Sequence, residues 1–172
     1  GNVSSTLTLS SFVVAEQMGG SFQGAELSLS TAVTTQSGTG SSGSANGTGT
    51  SASFNYPSGI TTDGTNLYVA DSMNNLIRKI VISTGVVTTV AGTGSNGSAD
   101  NTTGTSASFN YPSGITTDGT NLYVADSNNH LIRKIVISTG VVTTVAGVAG
   151  STGSANGTGT SSSFYYPSGI TT

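Results

Sequence analysis

Few residues in this chain could carry out chemistry, and the single histidine is the first of them. The 172 residues include seven acidic and four basic side chains, one histidine and no cysteine. His130 occupies a predicted tight turn, at the position where a neighbouring copy of the same phrase has Asn75. A catalytic zinc site needs about three protein ligands, and thiolate chemistry needs a cysteine. We interpret His130 as a turn residue and predict no catalytic residue, no metal site and no cofactor.

Serine is abundant, yet no serine lies in the Gly-x-Ser-x-Gly pattern that presents a nucleophile on a sharp turn. A lone histidine also leaves these hydroxyl groups without a credible general base. The chain is therefore predicted not to be an enzyme.

Two aspartates allow a weaker alternative. Asp63 and Asp118 follow the innermost predicted strand of two repeats, so equivalent copies could ring a central channel and bind a hard cation such as calcium. Each carboxylate could instead cap the glycine turn that follows it, as Asx residues commonly do. We favour capping.

Four further charges recur as two pairs. Asp71 and Asp126 close the second strand of each repeat, and Arg78 and Arg133 follow on the third strand. Cross-strand ion pairs of this kind stabilise a sheet by about 0.2–1 kcal/mol each. These pairs are predicted to stabilise the repeats.

The charge pattern excludes some partners. The net charge is −3, and the basic residues form two adjacent pairs, 78–79 and 133–134, so the clustered basic face that nucleic-acid binding needs is absent from the sequence. Apolar runs such as 12–15 and 80–82 are far shorter than the roughly 20 residues of a membrane span. We predict neither a nucleic-acid partner nor a membrane span.

An internal repeat positions all of these residues. Phe54, Phe109 and Phe164 open the same phrase at intervals of 55 residues, and segments 54–92 and 109–147 differ at only two positions. Val, Ile, Thr and Tyr favour strands, and Gly and Asn favour the turns between them. Each repeat is predicted to contain four strands, which in the first complete copy are 58–62, 66–71, 76–83 and 86–91.

The repeats divide the chain into four parts. Residues 1–36 keep only a trace of the pattern and are predicted to be a degenerate N-terminal blade, because terminal repeats are usually atypical. Two full repeats follow at 37–91 and 92–146, and 147–172 is predicted to be a connecting loop and the first strand of a further blade. The segments rich in Gly, Ser, Thr and Asn, namely 39–50, 93–105 and 148–160, are predicted to be long connections between blades.

Three phrases of the second repeat closely resemble the NHL repeat. They are residues 109–115, 121–126 and 129–135, and the name-giving Asn-His-Leu triplet stands at 129–131. The resemblance extends over about residues 37–172. It implies all-β, four-stranded antiparallel blades of a six-bladed propeller. Such propellers often serve as protein- or ligand-binding platforms and occasionally act as lyases or hydrolases with metal ligands at the central channel.

About three blades account for the chain, so the ring is predicted to be incomplete within it. The strand containing Phe164, Tyr165, Tyr166, Pro167 and Ile170 lacks predicted partners, and unpaired edges favour assembly. It could pair with the N-terminal blade of another copy, giving a homodimer or a filament. Alternatively the chain is a fragment whose further blades follow in sequence.

The leading interpretation is a non-enzymatic structural protein that is secreted or on the cell surface, which the low charge and the Ser- and Thr-rich loops favour. A ligand- or protein-binding propeller is the alternative, although the recurring Tyr56, Tyr111 and Tyr165 are predicted to be packing residues rather than exposed contacts. A fragment of a propeller lyase or hydrolase is the third possibility.

Overall fold

The computed structural model describes residues 33–172, so most of the predicted N-terminal blade lies outside the described residues. The predicted all-β fold is confirmed, because two antiparallel sheets are joined by loops with short 3-10 turns. The strands are β1 (Gly47–Thr48), β2 (Pro57–Thr62), β3 (Asn66–Asp71), β4 (Leu76–Val81), β5 (Val86–Ala91), β6 (Pro112–Thr117), β7 (Asn121–Asp126), β8 (Leu131–Val136) and β9 (Val142–Ala146). Among the helical turns of residues 33–172, none has the length and hydropathy of a membrane-spanning helix.

Each sheet is one blade of an open, propeller-like array. The first blade has the strand order β1-β5-β4-β3-β2, and the second has the order β6-β7-β8-β9. The extra strand β1 corrects the prediction that residues 39–50 only connect blades. Gly47 and Thr48 pair with Val87 and Val86, because the outer edge of β5 offers unpaired backbone groups to the passing loop.

The hairpin turns explain where the strands end. Asn75 adopts the left-handed conformation with φ 55°, which Asn tolerates well, and it reverses the chain between β3 and β4. Strand β4 ends at Val81 rather than at the predicted residue 83, since the Gly85 N–H donates to the Val81 carbonyl at 2.8 Å and starts the next turn. Gly85 has φ 70°, a conformation that glycine adopts without steric penalty.

Neighbouring blades pack face to face. We call the side of a blade that meets the preceding blade its front face and the opposite side its back face. The back face of the first blade and the front face of the second bury one continuous core, whose buried members are Tyr68, Ala70, Ile77, Ala91, Ala107, Phe109, Ile115, Leu122, Val124, Ile135 and Val142. The inner strands β2 and β6 approach so closely that a Cβ on Gly59 would clash with the Ser113 carbonyl oxygen. Glycine is therefore required at this contact.

Identical residues differ in burial because only one copy has a neighbour on its front face among the described residues. Ile115 is 5% exposed, whereas its counterpart Ile60 is 60% exposed. Phe109 is fully buried and Phe54 half-buried. Within residues 33–172, the front face of the first blade is thus open.

Residues 164–172 have no ladder partner within the described residues. Phe164 alone forms an isolated bridge, with Thr152. The prediction that Tyr56, Tyr111 and Tyr165 pack is wrong, since they are 74%, 36% and 71% exposed. At the spacing of 55 residues the counterpart of Tyr56 and Tyr111 is Tyr166, and these three tyrosines before the Pro-Ser-Gly phrase all have positive φ, for example 51° at Tyr56.

We predict that Ile115→Ala lowers the free energy of unfolding by about 2–4 kcal/mol, because it opens a cavity between the blades. Ile60→Ala, the matched control in the first repeat, should lower it by less than about 1 kcal/mol, since the side chain is largely exposed. Urea denaturation followed by circular dichroism measures both. Equal losses would show that the front face of the first blade is covered in solution.

Candidate functional site

Each blade contains a buried ion pair. Arg78 Nη1 lies 2.8 Å from Asp71 Oδ2, Arg133 Nη1 lies 2.8 Å from Asp126 Oδ2, and all four side chains are fully buried. The strand register sets Arg78 opposite Val69, so the pair runs diagonally across the β3–β4 hairpin. Energies typical of exposed pairs therefore do not apply, since buried charges must have nearly all of their hydrogen-bonding groups satisfied.

The arginine binds the loop that precedes its own blade. Arg78 Nη1 donates to the Ser53 carbonyl at 3.1 Å, and Nη2 donates to the Ala45 carbonyl and to Asn46 Oδ1, both at 2.9 Å. Its guanidinium lies 5.1 Å from the centre of the Phe54 ring, within range of a cation–π contact. Among the described residues, the Nε–H of Arg78 has no hydrogen-bond partner. The guanidinium thus ties residues 45–54 to strand β4.

The aspartate completes this connection. Asp71 Oδ1 accepts the Asn55 N–H at 2.7 Å. Asn74 in the following turn donates to Asp71 Oδ2 at 2.8 Å and to the Gly43 carbonyl at 2.7 Å. We call Asp71, Asn74 and Arg78, with their counterparts in the second blade, the clamp. It holds the connecting loop, the hairpin and the start of the inner strand together.

The second clamp repeats the first with one added charge. Arg133 donates to the Ser108 and Ala99 carbonyls at 3.0 Å each. Its Nη2 also forms an ion pair of 2.8 Å with Asp100, which stands where the first loop has Asn46. Burial raises the pKa of Asp126, against the opposing effect of hydrogen bonds from Asn110, Asn129 and Arg133.

Sequence reasoning missed the loop's share of the clamp. Its acceptors are mainly backbone carbonyls, which no side-chain pattern reveals. The recurring phrase Ser-Ala-Asn or Ser-Ala-Asp at 44–46, 98–100 and 154–156 was the available signal.

His130 lies in the left-handed turn position of the second blade, with φ 60°, as Asn75 does in the first. The Tyr111 N–H donates to Asn75 Oδ1 at 2.9 Å, and the Tyr166 N–H donates to His130 Nδ1 at 3.2 Å. The Tyr166 ring meets the imidazole edge-on, with ring centres 4.6 Å apart. The histidine therefore joins its blade to the chain that follows.

Asp63 and Asp118 hold their turns. Asp118 Oδ1 accepts the N–H groups of Thr120 and Asn121, and Oδ2 accepts from the Asn121 amide and the Tyr123 hydroxyl. Hydrogen bonds from the Asn121 side chain and from the two backbone N–H groups lower the pKa of Asp118. Burial and the hydrogen bond to Asp63 raise the pKa of Tyr68 to about 12. In residues 33–172, no group of three or more potential ligands could hold a metal ion.

Residues 164–172 dock on β6 as β6 docks on β2. Ser127 Oγ donates to the Pro167 carbonyl at 2.6 Å, and Ser72 Oγ donates to the Pro112 carbonyl at the same distance. A Cβ on Gly114 would clash with the Ser168 carbonyl oxygen, in the same way as Gly59 against Ser113. The predicted assembly residues thus occupy the position of a third inner strand.

Arg133→Met is expected to lower the free energy of unfolding by about 3–5 kcal/mol, because it leaves the Asp126 carboxyl buried without its charge partner. Lys134→Met, on the same strand but partly exposed, is the control and should change it by less than about 1 kcal/mol. Adding Asp126→Asn to the Arg133→Met variant should recover part of the loss. Denaturant titration measures all three, and equal effects of Arg133→Met and Lys134→Met would contradict the clamp.

For the turn, His130→Asn should preserve the hydrogen bond from the Tyr166 N–H, because Asn75 accepts the equivalent bond from the Tyr111 N–H in the first blade. His130→Ala should speed hydrogen exchange of the Tyr166 amide about three- to tenfold, the effect of losing one net hydrogen bond of about 0.5–1.5 kcal/mol. Amide exchange followed by NMR tests this, and similar rates in both variants would rule the contact out.

Comparison with known proteins agrees with this geometry. The family described as NHL repeat matches residues 109–135. NHL repeat-containing protein 2 of Homo sapiens is 40% identical over 95 residues, which cover 53% of this chain and 13% of the human protein. Protein SUPPRESSOR OF QUENCHING 1, chloroplastic, of Arabidopsis thaliana is 39% identical over 88 residues, covering 49% of this chain and 8% of that protein. The chain therefore spans a small part of these relatives.

A solved structure gives the same fold. A protein of unknown function from Bacteroides thetaiotaomicron superposes with a TM-score of 0.57 at 28% identity, covering 62% of this chain and 27% of the other. The matched repeat, the curated relatives and the blade architecture agree: residues 109–135 match the NHL repeat, and the chain is similar to NHL-repeat proteins.

Proposed function

We propose that this chain is a non-enzymatic structural scaffold that associates with further copies of itself through residues 164–172. The observation that carries the proposal is the docking of these residues on β6 as a third inner strand, with no strand among the described residues paired to their free edge. Unpaired strand edges are templates for strand addition.

The use of the charged residues supports a structural role. The clamps contain the ion-paired side chains Asp71, Arg78, Asp126 and Arg133. The carboxylates of Asp63 and Asp118 accept hydrogen bonds from backbone N–H groups of the turns in which they lie. A group locked in this way is poorly placed to bind a substrate or to transfer a proton.

The two outward faces support association between copies. Within residues 33–172 the front face of the first blade is uncovered, and it carries the residues that, in the second blade, pack on the first. The back face of the second blade repeats Tyr68 and Ile77 as Tyr123 and Ile132, and both of these are half-buried. One face thus matches the other, and such a head-to-tail contact gives a closed ring or a filament, depending on the rotation per copy.

We extend the proposal to location and partners. Low charge and Ser- and Thr-rich loops favour a secreted or cell-surface scaffold. The predicted pairing with residues 1–36 of another copy stays a prediction, since most of those residues lie outside the described part of the chain. A protein or ligand bound on the loops is compatible with the scaffold and is the alternative function.

Native mass spectrometry tests self-association. We expect oligomers with masses that are multiples of 16.9 kDa, and their fraction should rise with protein concentration. Gly169 has open space where a Cβ would lie, whereas in the contact between the described blades the equivalent Gly59 meets Ser113. Gly169→Ala should therefore leave the melting temperature unchanged and shift the population to monomer, because the added methyl group blocks the next inner strand.

Thr171→Ala is the control, since Thr171 is exposed and its hydroxyl contacts only the neighbouring Thr172 carbonyl in the described structure. It should assemble like the parent chain. A parent chain that is monomeric at every concentration, or a Gly169→Ala variant that assembles normally, would overturn the proposal.

A further inference from the structure

We propose that His130 makes the joint between the second blade and residues 164–172 sensitive to pH, because the neutral imidazole accepts the Tyr166 N–H and protonation breaks this hydrogen bond. The equivalent joint between the two described blades uses Asn75, whose amide does not titrate, and it is insensitive to pH. The inference does not rest on the proposed self-association, since all of its groups lie in one chain.

The hydrogen bond at this joint requires a lone pair on His130 Nδ1. The Tyr166 backbone N–H can only donate, and its nitrogen lies 3.2 Å from Nδ1. A neutral imidazole has one nitrogen that donates and one that accepts, whereas both nitrogens of the charged form carry a hydrogen. The bond therefore exists only while His130 is neutral with its proton on Nε2.

The backbone fixes the position of this imidazole. His130 has φ 60°, and its N–H donates to the Ser127 carbonyl at 3.1 Å, which closes the 3-10 turn. The residue is 6% exposed. A Cβ on Gly147 would clash with the His130 carbonyl oxygen, so the chain after β9 packs tightly on the same turn. A charged imidazole thus places its Nδ1–H directly against the Tyr166 N–H, and the two donors repel each other.

Two aromatic rings give the charged imidazole an alternative contact. The Tyr166 ring lies edge-on to it with ring centres 4.6 Å apart, and the Tyr165 ring lies parallel to it at 6.1 Å. The face of an aromatic ring attracts a cation within about 6 Å. In the first joint the position of Tyr165 is taken by Asn110, so the histidine and the added ring occur together. The protonated side chain can stay beside the tyrosines after the backbone bond is lost, which keeps the change local.

The other titratable groups around the joint do not neutralise the imidazolium. Tyr165 and Tyr166 bring phenol groups, which supply no negative charge at neutral pH, and residues 147–150 bring no titratable side chain. Among the described residues, no carboxylate forms an ion pair with His130. Burial raises the pKa of Asp126 in the neighbouring clamp, so protonation of Asp126 is the competing cause that an experiment has to separate.

The direction of the effect follows from proton linkage. The separated joint binds the proton that the closed joint excludes, so opening becomes more favourable as the pH falls. A free imidazole takes up its proton near about pH 6.5. We therefore expect the joint at Tyr166 to be closed above about pH 7 and loosened near about pH 5.

Hydrogen exchange of the Tyr166 amide, followed by NMR and expressed as a protection factor, tests the proposal on the full chain. Between about pH 7.5 and about pH 5, protection should fall about three- to tenfold, the effect of losing one net hydrogen bond. The Tyr111 N–H, which donates to Asn75 Oδ1, is the internal control and should change by less than about twofold. Constant protection at Tyr166 over this range, whether or not the His130 ring resonances titrate, would overturn the proposal.

Two reciprocal substitutions exchange the joint residues, because segments 54–92 and 109–147 otherwise differ only at residues 73 and 128. His130→Asn should remove the pH dependence at Tyr166 and keep its protection at neutral pH. Asn75→His should create a pH dependence at Tyr111. A response of Tyr166 that survives in His130→Asn identifies Asp126 as its source and contradicts the histidine switch, as does a Tyr111 amide that stays unresponsive in Asn75→His.

The measurement is independent of assembly when it is made at a concentration at which native mass spectrometry finds only monomer. A chain that is monomeric at every concentration but has a pH-responsive Tyr166 amide would overturn the proposed function and support the switch. Oligomers whose Tyr166 amide is equally protected at both pH values would overturn the switch and leave self-association standing.

Discussion

The buried aspartate–arginine pair is the interaction on which each blade depends. Two charges removed from water are tolerable only when nearly all of their hydrogen-bonding groups find partners. In the first blade these partners come from the β3–β4 hairpin, from the connecting loop and from the residue before the inner strand. The blade is therefore held together by one hydrogen-bonded ion pair buried between otherwise apolar packed surfaces.

Face-to-face packing adds the second constraint. The inner strands approach closely enough that glycine is needed at residues 59 and 114, and the apolar faces have no other cover within residues 33–172. A blade with one bare face is an incomplete folding unit. This explains why the same residues carry both the stability of the described blades and the proposed association between copies.

Much of the fold could be predicted from the sequence. Strands β3 and β5 match their predicted bounds, and the Asn and Gly turns lie where the pattern indicated. The repeat phrases also predicted the NHL repeat that is matched at residues 109–135. Strand β1 was missed because a two-residue strand leaves no periodicity, and the exposed tyrosines were mistaken for packing residues because aromatic recurrence alone does not show which way a side chain points.

The sequence by itself determined the repeat, the strand and turn positions and the identity of the charged residues, because these depend on local backbone preference and on side-chain type. Only the tertiary structure decided that the ion pairs are buried, that loop carbonyls surround the arginines and that Ile60 and Ile115 differ in exposure. Burial depends on the neighbour that a residue meets across space. Two nearly identical repeats therefore meet different environments when, among the described residues, only one has a blade packed against its front face.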